Sequence, residues 1–271
     1  MKEYKPIVTR YPAVRQFTAD TVKLSRHKHI IRALLEVDVT NALGKLKAAR
    51  APGKKISFLA WFIHILGVCV AKHPPIDGVL WKKHSAITYK DIDLTTIVEK
   101  QVDGKGVPIP LIIREVNNKT PMEINGEIQS AIQQDVRSEK DYVLGDSNND
   151  ILLRLAVTVP QWIRVLFMRC FILRDPKRVK KMMGTVSVTS LGTQGRIAGW
   201  ILPTSIHPLS IGIGSLTKKA AIYKGEIQKR DILHLTIAID HNVIDGMPAM
   251  RFVDELVSML EAGSGLEAFS S

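Results

Sequence analysis

The order of apolar and polar positions predicts alternating helices and strands along the 271-residue chain. Apolar residues at helical spacing predict helices over 13–26, 40–50, 56–71, 123–136 and 247–261. Alternating or β-branched apolar runs predict strands over 30–39, within 79–99, and over 107–113, 185–189, 209–214 and 233–239. Strands and helices mixed in this order, with hairpin-like connections, predict a single α+β domain over residues 1–271.

Two of these segments carry more specific predictions. The helix over 56–71 is apolar on almost every side, yet it is shorter than a membrane span, which favours a helix buried in the core. Pro74 and Pro75 end this helix, because proline cannot continue it. The strand over 107–113 contains Pro108 and Pro110, which predicts an edge or irregular position in the sheet.

The segment 151–183 is basic and amphipathic, and it contains a long apolar run over 152–173. That run also includes Pro160 and the spaced arginines Arg154, Arg164 and Arg169. Charges at this spacing argue against a membrane-spanning helix. They leave open a helix that lies at a membrane surface or is covered by protein.

The composition is that of a globular protein, with 45% hydrophobic and 24% charged residues. A formal net charge of +12 favours an anionic partner: nucleic acid, a membrane surface or a polyphosphate ligand. Only 6% of residues are aromatic and they form no stacking motif, which argues against nucleic acid. Cys69 and Cys170 lie in apolar runs, so neither a disulfide framework nor a metal site is indicated. The N-terminus lacks an apolar signal core, so a cytoplasmic location is expected.

The candidate chemistry is concentrated at the end of the last predicted strand. The run Asp-His-Asn-Val-Ile-Asp-Gly over 240–246 places His241 in a turn, with Asp245 four residues later and Gly246 beside it. Histidine suits proton transfer at neutral pH, provided that its ring is held in one orientation. Glycine allows backbone angles that other residues resist, so Gly246 is predicted to permit the bend. A structural histidine at a strand end is the alternative interpretation.

A second segment lies upstream at a fitting distance. Residues 184–192 read Gly-Thr-Val-Ser-Val-Thr-Ser-Leu-Gly, and Pro203, Pro208 and the apolar, glycine-containing run 209–215 follow. Together with 240–246, this order resembles the catalytic domains of the dihydrolipoyl acyltransferases of 2-oxo acid dehydrogenase complexes. The resemblance implies the mixed-sheet α+β fold with flanking helices that is also found in chloramphenicol acetyltransferases.

The resemblance also implies roles for individual residues. His241 would be the general base that takes the proton of an acceptor thiol or hydroxyl, which then attacks the thioester of acyl-coenzyme A directly. Thr189 would donate a hydrogen bond to the resulting oxyanion. Asp245 would organise the turn, and Gly246 would be needed by its bend. Ser190 and Asn242 depart from the asparagine and arginine usual in the family, which leaves the substrate and the local ion pairs open.

The same resemblance implies partners and exposes differences. Relatives form homotrimers or larger assemblies with active sites between neighbouring subunits. No lipoyl domain or linker is recognised in the chain, so a stand-alone form that uses a lipoyl group on a separate protein is expected. The segment at about 146–183 is longer, more apolar and more basic than the connection that the family has at this point. This insertion is either an extra packed helix or oligomer contact, or a wall for a long acyl group, or a peripheral membrane contact through 151–175. A catalytically silent scaffold, a membrane-associated subunit and a chloramphenicol-type O-acetyltransferase are the alternative functions.

Overall fold

A computed structural model describes residues 15–26, 28–49, 56–82, 85–102, 105–133, 159–190 and 197–267. The α-helices are α1 (Arg15–Ser25), α2 (Thr40–Ala48), α3 (Phe58–Lys72), α4 (Pro121–Gln133), α5 (Gln161–Phe167), α6 (Pro176–Met183) and α7 (Gly246–Ala262). The strands are β1 (Ile30–Asp38), β2 (Val79–Trp81), β3 (Ser85–Ile87), β4 (Leu94–Val102), β5 (Lys105–Ile113), β6 (Val186–Ser190), β7 (Leu209–Tyr223) and β8 (Glu226–Asp240). Three further helical turns cover Pro74–Asp77, Val116–Asn118 and Met168–Ile172, and the last of these continues α5.

Six strands form one mixed sheet in the order β1-β8-β7-β6-β4-β5. Strand β6 runs parallel to both of its neighbours, and the other pairs are antiparallel. Strands β2 and β3 form a separate two-stranded hairpin. The predicted α+β fold with a mixed sheet and flanking helices is therefore confirmed.

Helix α3 is the centre of the hydrophobic core. Ser57 caps its N-terminus, where the Ser57 hydroxyl accepts a hydrogen bond from the Ala60 amide at 3.2 Å. Nine of its fifteen residues are buried, including Trp61 and Phe62. The Trp61 indole N–H donates to the Ser264 carbonyl at 2.8 Å, so its one polar atom is satisfied. The prediction of a buried helix that stops before Pro74 is confirmed.

Strand β5 lies at the edge of the sheet and pairs only with β4 among the described strands. Pro108 and Pro110 are exposed on it and lie opposite Glu99 and Ile97 of β4. An edge strand has unpaired backbone groups on its outer side, so it tolerates residues that lack an N–H. The edge position predicted from the two prolines is confirmed.

Strands β7 and β8 are longer than the sequence pattern predicts. The patterns over 209–214 and 233–239 mark only the buried halves of two fifteen-residue strands. The strands continue outward and meet at a two-residue turn, Lys224–Gly225, where both φ angles are positive (53° and 85°). This backbone is the one that tight hairpins require. The apolar alternation fades there because the strands leave the core, which corrects the shorter prediction.

The sheet face opposite α3 is covered by the segment 197–207. A side chain at Gly212 or Gly214 would place its Cβ 2.4 Å from the carbonyl oxygen of Ile201 or Gly199, respectively. Glycine at these two positions of β7 therefore lets the segment lie directly on the strand. The Trp200 ring then packs edge-on against His234 at 4.6 Å between ring centroids. His234 is consequently a core histidine.

Helices α5 and α6, which fall in the predicted insertion, are joined to the rest of the chain by ion pairs. Arg164 of α5 donates to both carboxylate oxygens of Asp20 in α1, at 2.7 and 3.1 Å, and Asp20 is fully buried. Lys180 of α6 and Arg114 both contact the Asp93 carboxylate, at 3.0 and 2.9 Å. The residues 146–158 that begin the insertion lie outside the described residues.

We expect Arg164→Leu to lower the free energy of unfolding by about 3 kcal/mol, because it leaves the buried Asp20 carboxylate without its cation. Urea unfolding of the parent and variant measures this loss. The double variant Asp20→Asn/Arg164→Leu removes both charges and is expected to recover part of it. An Arg164→Leu variant as stable as the parent would contradict the role given to this pair.

Candidate active site

The His241 turn joins the buried end of β8 to α7 and is fixed by residues that precede β1. The His241 amide donates to the His29 carbonyl at 2.8 Å. The His29 ring donates from Nδ1 to the Asn242 side-chain oxygen at 2.9 Å, since an amide oxygen can only accept. Lys28 pairs with the buried Asp240 carboxylate at 2.8 Å. Asn242 thus stabilises the turn, because its side chain bonds to both His29 and Asp240.

The backbone of the turn is held, whereas the His241 side chain is exposed. Its imidazole forms no hydrogen bond or ion pair with another described residue. An exposed imidazole on a fixed backbone is accessible to a substrate that approaches the surface. Among the residues that the structure describes, it lacks the orienting hydrogen bond that a general base normally has.

Asp245 and Gly246 begin α7. Asp245 occupies the N-cap position with an extended backbone, and its exposed carboxylate makes no capping hydrogen bond. Its charge still interacts favourably with the helix N-terminus. Gly246 does not have a positive φ, and a Cβ at this position would meet no atom within 4 Å. The prediction that the bend needs glycine was therefore wrong for the chain's own backbone, because the change of direction occurs in the preceding residues.

Thr189 lies near the end of β6 with its side chain partly exposed. It is level with Gly212 of β7, which is level with Thr236 of β8. Thr236 precedes His241 by five residues, or about 16 Å along the strand, and β6 is two strands away from β8. A single chain therefore does not bring the Thr189 hydroxyl to the His241 imidazole.

His207 is a buried polar residue near the turn that carries no sequence motif. Its Nε2–H donates to the Met183 carbonyl at 2.8 Å, so Nδ1 accepts from the Ser205 hydroxyl at 2.6 Å. Burial, opposed by the bond to Met183 and helped by repulsion from Lys28, lowers the pKa of His207 to about 4. The neutral ring thus links the end of α6 to Ser205. The carbonyl of Pro208, which follows His207, accepts a hydrogen bond from the Asp240 amide.

This shift predicts acid sensitivity. His207 accepts a proton in the unfolded chain below its ordinary pKa of 6.5 but resists it in the folded chain down to about 4. Its contribution is therefore present above pH 6.5 and lost as the pH falls from 6.5 towards 4. We expect the parent to lose about 2 kcal/mol more unfolding free energy than His207→Gln between pH 7.5 and 4.5. Urea titrations at both pH values measure this, and equal losses would contradict it.

Asp77 is a second buried ionisable group that the sequence pattern does not reveal. The Thr185 hydroxyl donates to its Oδ2 at 2.6 Å, while Oδ1 has no partner. Burial raises the pKa of Asp77 to about 6, although the Thr185 bond acts in the opposite direction. As the pH falls, protonation of Asp77 stabilises the folded chain, which opposes the effect of His207. Asp77 is present in both the parent and His207→Gln, so it does not change the difference between their losses of stability.

In the described ranges, no group of three or more His, Cys, Asp or Glu side chains is placed to hold a metal ion. No helix among the same residues is long and apolar enough to cross a membrane.

A protein-family model described as 2-oxoacid dehydrogenases acyltransferase (catalytic domain) matches residues 6–141 and 178–267 of the chain. Residues 142–177 lie outside both matched ranges. The unmatched stretch contains α5 and the turn that follows it.

Curated relatives carry the corresponding names. The dihydrolipoyllysine-residue acetyltransferase component of the pyruvate dehydrogenase complex of Bacillus subtilis is 23% identical over 265 residues, which cover 95% of this chain and 51% of that protein. The lipoamide acyltransferase component of the branched-chain alpha-keto acid dehydrogenase complex of the same organism is 22% identical over 237 residues, which cover 84% and 46%. The chain spans about half the length of the curated relatives it matches.

Solved structures share the fold. A probable dihydrolipoamide acetyltransferase from Listeria monocytogenes has a TM-score of 0.66 at 18% identity, covering 97% of this chain and 96% of that chain. A truncated catalytic core of the 2-oxoacid dehydrogenase multienzyme complex from Thermoplasma acidophilum has a TM-score of 0.63 at 17% identity, covering 96% and 100%. The cubic core of a pyruvate dehydrogenase multienzyme complex has a TM-score of 0.63 at 16% identity, covering 96% and 97%.

Proposed function

Since the chain belongs to the 2-oxoacid dehydrogenases acyltransferase (catalytic domain) family, we propose that it transfers an acyl group between coenzyme A and a thiol such as that of dihydrolipoamide. The observation that carries this proposal is the His241 turn, whose backbone is fixed by His29 while its imidazole is exposed. The second of the two ranges that the family model matches contains both Thr189 and His241.

The reaction follows from the chemistry of these side chains. The His241 imidazole takes the proton of the acceptor S–H, and the thiolate attacks the carbonyl carbon of the acyl-coenzyme A thioester. The carbonyl oxygen becomes an oxyanion, which the Thr189 hydroxyl stabilises by a hydrogen bond. Collapse of this intermediate breaks the bond to the coenzyme A sulfur, and that sulfur takes the proton back from the imidazolium. No acyl-enzyme is formed.

This mechanism requires two chains at each site. Thr189 lies too far from His241 within one chain, so the hydroxyl must come from a neighbouring subunit. We therefore propose a homotrimer, or an assembly of trimers, in which each interface joins His241 of one subunit to Thr189 of the next. The cubic assembly of the structurally similar pyruvate dehydrogenase core supports this arrangement. A neighbouring subunit is also the expected source of the hydrogen bond that orients the imidazole.

The proposed acceptor is a lipoyl group carried by a separate protein. The experiment that tests the function incubates the parent with acetyl-, butyryl- and hexanoyl-coenzyme A and dihydrolipoamide, and follows the thioesters by chromatography. Consumption that requires dihydrolipoamide is the expected result. Consumption with chloramphenicol alone would favour the O-acetyltransferase alternative, and no consumption with any acceptor would favour the silent scaffold.

A specific observation also supports a peripheral membrane contact. Helix α5 and the turn after it expose an apolar face formed by Trp162, Ile163, Leu166, Phe167 and Phe171, and the last two rings stack at 5.0 Å. The exposed basic residues Arg169, Arg174 and Lys177 lie beside it in the sequence. An apolar face bordered by positive charge suits the surface of an anionic bilayer. Of the predicted contact segment 151–175, residues 151–158 lie outside the described part of the chain.

We expect Trp162→Ser/Phe167→Ser to weaken binding to phosphatidylcholine–phosphatidylserine vesicles by more than about tenfold, since two aromatic side chains that would be buried in the bilayer are lost. Co-sedimentation measures the binding, and vesicles without phosphatidylserine test the charge dependence. The matched control is Ile222→Ser/Ile227→Ser, which removes two side chains that are each 79% exposed at the tip of the β7–β8 hairpin. Equal binding by all three proteins would contradict the membrane contact.

A further inference from the structure

A cavity of about 170 Å³ lies directly beside the His241 turn. Asp240, Asn242 and Val243 of the turn line it, whereas His241 between them does not. The backbone of Gly78 lies close to the turn, since a Cβ at Gly78 would be 2.8 Å from the Val243 side chain. The cavity is therefore held in a fixed position relative to the candidate base.

The walls of the cavity are apolar. Val79 and Leu80 of β2 form one part, and Leu173 and Val179 form another. Leu173 lies in the stretch that the family model leaves unmatched, and Val179 lies at the start of the second matched range. Part of this cavity is thus built by residues at or beyond the limit of what the family shares.

Polar groups are confined to one end. The Lys28–Asp240 ion pair and the Asn242 side chain lie where the cavity meets the turn. Because each charge of the pair is already compensated, the cavity offers no free charge for an ionic ligand. Apolar walls with a few polar groups at one end fit a ligand that has an apolar chain and a polar head.

We propose that this cavity takes the acyl chain of the thioester, and that Leu173 and Val179 set the length of the chain. The proposal rests on the proposed function, because it assigns a substrate class to that same site. An apolar cavity of about 150 Å³ is large enough to bind benzene, so a cavity of about 170 Å³ accommodates about six carbon atoms. The preferred substrate is therefore an acyl-coenzyme A of about four to six carbons.

The test measures kcat/KM for acetyl-, butyryl-, hexanoyl- and decanoyl-coenzyme A with dihydrolipoamide as acceptor. For the parent, kcat/KM is expected to rise about fourfold per added methylene up to about six carbons, and to fall for decanoyl-coenzyme A, which exceeds the cavity. A parent that uses acetyl-coenzyme A best overturns the proposal.

Variants then locate the determinant. Val179→Phe fills the cavity and is expected to lower kcat/KM for hexanoyl-coenzyme A at least about tenfold more than that for acetyl-coenzyme A. Leu173→Ala enlarges the cavity and is expected to move the optimum to longer chains, which decides the question if Val179→Phe does not fold. Met182→Phe is the matched control, because Met182 is exposed on the same helix and does not border the cavity.

The outcomes separate this proposal from the function on which it rests. If the parent consumes the thioesters but Val179→Phe and Leu173→Ala keep its chain-length profile, the cavity is not the acyl site and the function stands. If acetyl and hexanoyl transfer fall equally in the variants, length selection at this cavity is likewise overturned. If the parent consumes none of the four thioesters, the proposed function and the acyl site are both overturned.

Discussion

Replacing His241 with alanine is expected to lower kcat/KM for acyl transfer by about a thousandfold, because positioned general acid–base catalysis contributes between about 10² and 10⁴ in rate. The imidazole is exposed and bonds to no other described side chain, so its loss leaves the packing of the turn intact. The bond that fixes the turn uses the His241 backbone amide, which alanine retains. The measurement is the initial rate of acyl-coenzyme A consumption with dihydrolipoamide, together with the thermal midpoint of unfolding.

A matched control distinguishes loss of the base from general damage. His73 lies at the end of α3, and its ring pairs with Glu255 at 2.8 Å, so His73→Ala removes a histidine outside the 240–246 turn. His73→Ala is expected to lower the thermal midpoint slightly and to keep the parental rate per folded molecule. If His241→Ala transfers acyl groups as fast as the parent, histidine is not the base, and the structural interpretation of this turn prevails.

The elements that could be predicted from the sequence are those in which one local property determines the structure. Helix α3 is apolar on nearly all sides and must be buried, and Pro108 and Pro110 are compatible with an edge strand. The outer half of the β7–β8 hairpin buries no apolar side chain, so its strands carry no apolar alternation, and backbone pairing and the Lys224–Gly225 turn extend them. Periodicity detects burial, and it fails where pairing alone maintains a strand.

In the candidate site, too, local features could be predicted from the sequence, whereas features formed by distant residues could not. The His241 turn was recognisable because its residues are adjacent in sequence. The cavity beside it was not, because Leu80, Leu173 and Asn242 come together only through the packing of α6 and β2 against the turn. The ion pair of Lys28 with Asp240 joins residues 212 positions apart, and no local pattern indicates it. Gly246 shows the opposite error, since a familiar motif suggested a backbone requirement that this chain does not have.

Removing the Thr189 hydroxyl is the second change with a large expected effect. Valine has the shape of threonine without the hydroxyl, so Thr189→Val is expected to lower kcat by about 10² to 10³ with little change in KM, as for the loss of an oxyanion donor. Thr189→Ser keeps the donor and is expected to remain within a few-fold of the parent. Steady-state kinetics of the two variants measure this, and equal losses in both would indicate a packing role for the methyl group instead.

The separation of Thr189 from His241 leads to a stronger test, in which two inactive variants restore one another. His241→Ala and Thr189→Val are co-expressed with different tags, and assemblies that contain both tags are purified. In any mixed cyclic trimer, one of the three interfaces joins an intact His241 to an intact Thr189, so about a third of the parental activity is expected. A mixture no more active than the sum of the separate variants would contradict an active site shared between chains. Recovery to about a third would also exclude a site within one chain, because each chain in the mixture lacks one of the two groups.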